Sequence, residues 1–231
     1  MATLEQLDAA KTWLDVLPKI DILRRVVHKG LVAVVRAETA EKATRISEAC
    51  AQGGIEAVEV TFTVPQAHRV IEGLAARFAT DHAMVLGAGT VLDSETARIA
   101  ILSGAKYIIS PSFDAATARL CNRYQVPYMP GAATPAEVVQ ALEAGADIIK
   151  IFPGETLGPA FVKALRAPLP QAPMMPSGGV SLENVGEWIR AGCVAVSAGG
   201  MLTKGAAKGD YDSISRTAER MIELIAEARK A

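Results

Sequence analysis

Lys150 stands alone in Asp147-Ile148-Ile149-Lys150-Ile151-Phe152-Pro153, an apolar run that otherwise reads as a fully buried strand. Taking an ammonium ion out of water disfavours its charged form, so a lysine in such a run is an amine near neutral pH. A neutral amine in an apolar pocket is the nucleophile that attacks a ketone and forms a Schiff base. The competing reading is a strand-end lysine that snorkels to solvent or pairs with a buried carboxylate. Glu59 offers such a carboxylate, in Ala57-Val58-Glu59-Val60-Thr61-Phe62-Thr63. Side chains alternate between the faces of a strand, so Glu59, Thr61 and Thr63 share one face, and Val58, Val60 and Phe62 the other. By the same rule Ile149 and Ile151 point away from Lys150. An interior carboxylate and an interior lysine could do acid/base and nucleophilic work together, or form a buried ion pair with no chemical role.

The elements that must hold these residues repeat. From residue 31 one unit recurs eight times: a short β-branched or apolar run, a turn, then a helical pattern. The strand-like runs are Leu31-Ala37, Ala57-Phe62, Met84-Val91, Tyr107-Pro111, Val126-Gly131, Ile148-Phe152, Pro173-Gly178 and Ala195-Gly199. Their spacing of roughly 19 to 27 residues suits one strand plus a short crossover helix. Eight such units predict an α/β fold, a closed parallel TIM (β/α)8 barrel. Helix starts are marked by Thr39 before Ala40-Cys50, Asp93 before Ser94-Leu102, Asp114 before Ala115-Tyr124, and Thr134-Pro135 before Ala136-Ala144 with Glu137 in its first turn. Gly53-Gly54, Gly104, Gly145 and Gly192 follow helical runs, as left-handed caps do. An open doubly wound sheet would instead carry a phosphate fingerprint after its first strand, and Val35-Arg36-Ala37-Glu38 does not resemble one. No Pro/Ser-rich linker or charge block divides the chain, so residues 1-231 read as a single domain. Residues 31-231 form the barrel and residues 1-30 an N-terminal helical extension that covers its bottom.

Active sites of such barrels lie at the C-terminal ends of the strands. There Pro176-Ser177-Gly178-Gly179-Val180 and Ser197-Ala198-Gly199-Gly200 close the last two strands. Backbone N–H groups hold a phosphate at this place in many barrels, although glycines are common in any turn. Gly87-Ala88-Gly89-Thr90 adds a hydroxyl to the third strand end, where a tight turn explains the glycines equally well. Arg36 ends the first strand, at the height where its fork of donors could receive an anion or make a surface ion pair. His28, His68 and His82 read as solvated, and no His, Cys, Asp and Glu cluster has metal spacing. No metal and no cofactor is expected.

The 24 Lys plus Arg nearly cancel the 25 Asp plus Glu, which argues against nucleic acid or an anionic membrane surface as a partner. Cys50, Cys121 and Cys193 lie in different segments without paired spacing and read as buried thiols in a reducing compartment. The first residues mix Glu5, Asp8, Lys11 and Asp15 with Leu4, Leu7, Trp13 and Leu14, an amphipathic helix and not a signal peptide. No apolar run approaches the roughly 18 residues of a membrane span. A cytoplasmic protein is expected.

With these residues in place the chain resembles the class I 2-keto-3-deoxy-6-phosphogluconate (KDPG) aldolase / 4-hydroxy-2-oxoglutarate (KHG) aldolase family, from about residue 20 to about residue 228. The motifs come in order: Gly54-Ile55-Glu56-Ala57-Val58-Glu59-Val60-Thr61, Gly87-Ala88-Gly89-Thr90-Val91, Ile109-Ser110-Pro111, Met129-Pro130-Gly131, Lys150-Ile151-Phe152-Pro153-Gly154-Glu155 and Pro176-Ser177-Gly178-Gly179-Val180. The resemblance implies a lyase in which Lys150 condenses with the keto carbon of a 2-oxo acid and Glu59 is the general acid/base. It implies that Thr90 lies near the substrate carboxylate, that Phe152 packs against the bound keto acid and that Pro111 shapes the pocket wall. It further implies pyruvate plus a phosphorylated aldehyde or glyoxylate as the small-molecule partners, and a homotrimer. Two departures bear on the substrate. Many members carry an arginine where this chain has Thr63, and Arg36 could supply the missing charge, as in a related subgroup with the same Thr-Phe-Thr-Val-Pro run. Many also have Gly-Ser where this chain has Gly199-Gly200, and a threonine where it has Ser177, so a donor to phosphate is lost. An epimeric sugar acid such as the 6-phosphogalactonate therefore stays open as the substrate. The rival readings are a phosphate-binding barrel isomerase that uses Glu59 as base, and a non-catalytic oligomeric binding protein.

Overall fold

The structure, a computed structural model, describes residues 17–79 and 84–230. The amphipathic helix expected over residues 4–15, and His82, lie outside the described residues. Among the described residues nine short strands run in order: β1 (Leu31–Val35), β2 (Ala57–Thr61), β3 (Val85–Gly89), β4 (Ile108–Ile109), β5 (Tyr128–Met129), β6 (Gly131–Ala132), β7 (Ile149–Ile151), β8 (Met174–Pro176) and β9 (Val196–Ala198). Every pairing is parallel, in two arcs ordered β5-β4-β3-β2-β1-β9 and β6-β7-β8. The arcs join at both seams. On one side the chain passes from β5 to β6 through Pro130, and on the other a parallel bridge links Ser177 to Ser197. The ring is closed, and the expected barrel of eight staves is present. The expected fifth strand is split because Pro130 has no N–H for the ladder, although its carbonyl still accepts from Lys150 N at 2.8 Å.

Helices cover the outside of the ring. Thr39, Asp93, Asp114 and Thr134 each accept a hydrogen bond from the backbone N–H three residues on, capping the helices Ala40–Gln52, Ser94–Leu102, Ala115–Tyr124 and Pro135–Glu143. Of the expected left-handed glycines Gly54, Gly104, Gly145 and Gly192 have positive φ, whereas Gly53 does not, so the turn after Gln52 is made by Gly54. The three cysteines are free and buried, and burial pushes each thiol up to about 12.

Alternation divides the core into two layers. Val58, Val60, Ile149 and Ile151 pack against the helices, while Val32, Ala57, Val85, Tyr107, Ile109, Met129, Ile148, Met175 and Ala195 fill the lower barrel interior. The helix Pro18–Lys29 closes the bottom by laying Ile22 and Val26 on that inner layer. Burying each of these side chains is worth about 1.5–3 kcal/mol. Lys19 pairs with Asp147 at 3.0 Å, and Arg229 of the C-terminal segment donates to the Val27, His28 and Val194 carbonyls. The N-terminal helix is thus tied to the barrel at both ends.

Candidate active site

Glu59 and Lys150 both lie in the barrel interior, 1% and 4% exposed. Strand register sets their places: Glu59 stands between Val34 and Gly87, and Lys150 between Gly131 and Met175. Gly89 leaves room for the Glu59 carboxylate, since a Cβ at that position would come within 2.5 Å of Oε1. The Nζ atom of Lys150 lies 5.1 Å from the centroid of the Phe152 ring. No salt bridge joins Glu59 to Lys150, and Oε2 of Glu59 is buried without a hydrogen-bond partner. A satisfied structural ion pair would show the opposite.

Burial holds the Glu59 carboxyl above the ordinary carboxylate range, against the pull of Lys150 and Arg36. It holds Lys150 below the ordinary lysine range, against the charge of Glu59 and reinforced by Arg36. In both groups the neutral form gains from desolvation. The site therefore places a lysine whose amine form is favoured in the same interior as a carboxyl group whose protonated form is favoured, the two group types that Schiff-base and acid/base chemistry require.

A cleft of about 700 Å³ opens over the C-terminal ends of β1, β7, β8 and β9. It gathers Arg36, Phe152, Ser177, Gly178, Gly179, Gly199 and Gly200 from the residues expected at the site. Phe152 connects it to Lys150. Gly178 and Gly179 have φ of 93° and 69°, conformations that suit glycine and not a side-chain-bearing residue. Their turn is pinned by Gly154 N donating to Ser177 O at 2.8 Å and by Asn184 Nδ2 donating to Gly179 O at 2.8 Å. Thr203 N donates to Gly199 O at 2.9 Å and fixes the second glycine turn.

Thr63, Thr90 and Pro111 sit past the ends of β2, β3 and β4 and do not line this cleft. Thr63 is exposed, and its Oγ1 is 2.7 Å from that of Thr61, which donates to Val35 O at 3.1 Å. Thr90 has φ of 57°, a conformation that β-branched residues rarely adopt and that marks strain at a strand end. The carbonyl of Pro111 packs so closely on Gly131 that a Cβ there would overlap it. A second cavity, of about 500 Å³, lies at the opposite end under the helix Pro18–Lys29 and contains none of the site residues.

Sequence reasoning left three site neighbours without a role. Val34 and Glu155 line the cleft, Glu155 directly over the Gly178-Gly179 turn. Tyr107 lies in the barrel interior, and the alternation of its run, in phase with Ile109, was the signal that could have placed it there. Among the described residues no cluster of three or more His, Cys, Asp or Glu could hold a metal ion, and no helix is long and apolar enough to cross a membrane.

Comparison with known proteins adds an independent line. A family model described as KDPG and KHG aldolase matches residues 22–217. The 2-dehydro-3-deoxy-phosphogluconate aldolase of Treponema pallidum (strain Nichols) is 31% identical over 209 residues, covering 89% of this chain and 98% of that protein. The 2-dehydro-3-deoxy-6-phosphogalactonate aldolase of Escherichia coli (strain K12) is 34% identical over 202 residues, covering 87% and 95%. Among solved structures, KDPG aldolase from Legionella pneumophila, with pyruvate captured at low pH as a covalent carbinolamine intermediate, superposes with a TM-score of 0.77 at 26% identity and covers 83% of this chain and 93% of its own. These relatives are named aldolases, which are lyases. With a closed barrel, an interior lysine and carboxylate, and a family match over most of its length, the chain belongs to the KDPG and KHG aldolase family.

Proposed function

We propose that the chain is a Schiff-base aldolase that cleaves 2-keto-3-deoxy-6-phosphogluconate to pyruvate and glyceraldehyde 3-phosphate, or 4-hydroxy-2-oxoglutarate to pyruvate and glyoxylate. The observation that carries this reading is the buried amine of Lys150 beside Glu59, unpaired with it, in a chain of this family. Lys150 Nζ attacks the C2 keto carbon, and Glu59 moves the protons as the carbinolamine loses water to become a protonated imine. The C4 hydroxyl then gives its proton to Glu59, the C3–C4 bond breaks, and its electron pair enters the imine as an enamine of pyruvate. The aldehyde leaves. Protonation of C3 and hydrolysis of the imine return pyruvate and the free lysine.

Arg36 grips the substrate carboxylate in place of the arginine that Thr63 replaces, with Thr90 close to it and Thr63 at the rim. Phe152 and Pro111 wall the keto acid. The Ser177-Gly178-Gly179 and Gly199-Gly200 turns receive the distal phosphate or its equivalent. A second reading, cleavage of the epimeric 6-phosphogalactonate, is favoured by the Arg36 and Thr63 arrangement and by the 34% identity to the relative that bears that name. Residues 1-231 act as one domain. Three copies assemble, consistent with the exposed apolar side chains of Leu92, Ile99, Leu102 and Tyr124 on neighbouring elements. The free thiols favour the cytoplasm, a reducing compartment.

The test is borohydride reduction with and without pyruvate, followed by intact mass and peptide mapping. A pyruvate-dependent reduced adduct on Lys150 is the expected result. No adduct in folded protein would return Lys150 to a structural role and favour an isomerase or a binding protein.

A further inference from the structure

Tyr107 is buried completely in the barrel interior, and its hydroxyl has no hydrogen-bond partner. Register explains how it comes to lie there. Ala88 pairs with Ile108, so Gly87 stands opposite Tyr107, and the phenol lies across Gly87, where any side chain would overlap its ring. From the other side Gly87 pairs with Glu59. Two inward glycines of β3 thus make room for two neighbours, the Tyr107 ring at Gly87 and the Glu59 carboxylate at Gly89. The hydroxyl end of the ring is carried over β3, beside the strand that bears Oε2 of Glu59, which is likewise buried without a hydrogen-bond partner. Burial, and then the charge of Glu59, raise the phenol well above its ordinary value, so it remains a proton donor across the working pH range. The groups that face Glu59 electrostatically are Tyr107 from just before β4, Lys150 from β7 and Arg36 from the end of β1. The mechanism above uses the last two and leaves Tyr107 idle.

We propose that Tyr107 is a positioning residue for Glu59: through one bridging water its hydroxyl donates to Oε2 and holds the carboxylate in its ionised, proton-accepting form. A single water satisfies both bare oxygens, as buried waters between polar groups do. The inference rests on Glu59 acting as the acid/base of the aldolase reading.

Tyr107→Phe removes the hydroxyl and keeps the ring over Gly87. Loss of one hydrogen bond to a charged group should raise the Glu59 titration by about one pH unit. Selective ¹³C-glutamate labelling reads this by NMR, with Glu59→Gln assigning the signal. The acidic limb of the rate of pyruvate-dependent borohydride trapping should move up by the same amount, with about a tenfold fall in rate below it. In the Glu59→Gln background, Tyr107→Phe should cost almost nothing more. An unmoved Glu59 titration, or an equal loss in both backgrounds, overturns the proposal, because a purely structural tyrosine would behave so. The two readings fail separately: a wild type without any adduct refutes the aldolase, while the NMR titration still decides the role of Tyr107.

Discussion

At the scale of single residues, burial determines where protons sit. Desolvation lowers Lys150 against the attraction of Glu59, and raises Glu59 against the pull of Lys150 and Arg36. Lys150→Ala is expected to abolish turnover and Glu59→Gln to slow it by roughly 10² or more in steady-state assays; near-normal activity in the lysine variant would overturn the mechanism. The same shifts predict stability. Glu59 titrates above its unfolded value, so its contribution is fully present below the unfolded pKa and is lost as pH rises through the folded one. Glu59→Gln should therefore gain stability over the wild type as pH rises through the folded value, with the gain shrinking as pH falls towards the unfolded one. Lys150 acts in the other direction along the axis, since its lowered value makes stability rise as pH climbs through the folded pKa. Calorimetry across pH separates the two, and a gain in Glu59→Gln that does not change with pH would remove burial as its cause. Lys150 and Glu59 were legible in the sequence because an ionisable residue inside an apolar run has few explanations. Tyr107 was not, because a tyrosine in a strand ordinarily reads as core.

At the scale of elements, β3 shows what pattern reading misses. Gly87-Ala88-Gly89 reads as a tight strand end, yet its glycines are spaces cut for side chains of the neighbouring strands. Gly89→Ala is predicted to push the Glu59 carboxylate aside and lower kcat by about 10², the usual cost of misplacing a catalytic group by an ångström. KM and the melting temperature should change little. A variant with unchanged kcat would show that the carboxylate does not need that space. The helices were read more directly. Thr39, Asp93, Asp114 and Thr134 announce their helices because the backbone donors they satisfy are local. The break at Pro130 follows from local chemistry as well, but only pairing on both sides shows that one stave survives it.

At the scale of the molecule, closure of the ring brings residues from opposite ends of the chain to one rim. Arg36 of the first stave and Gly199 of the last line the same cleft because β1 pairs with β9. The apolar side chains left outside the ring bear on assembly. Leu102 is 70% exposed and Leu92 62%, beside Ile99. Leu102→Asp should dissociate the proposed trimer, read by light scattering at micromolar concentration, and a wild type that is monomeric there would refute the trimer.

The sequence by itself determined the repeat of eight, the caps, the inward phase of Glu59 and Lys150, and the family motifs, all of which rest on local periodicity and backbone donors. Only the tertiary structure decided that Glu59 and Lys150 share the barrel interior without a salt bridge, that the cleft at the glycine turns is lined from β1, β7, β8 and β9, and that a tyrosine lies over Gly87, the partner of Glu59. Those facts depend on register between strands, which brings together residues remote in the chain and is fixed by packing inside the closed ring.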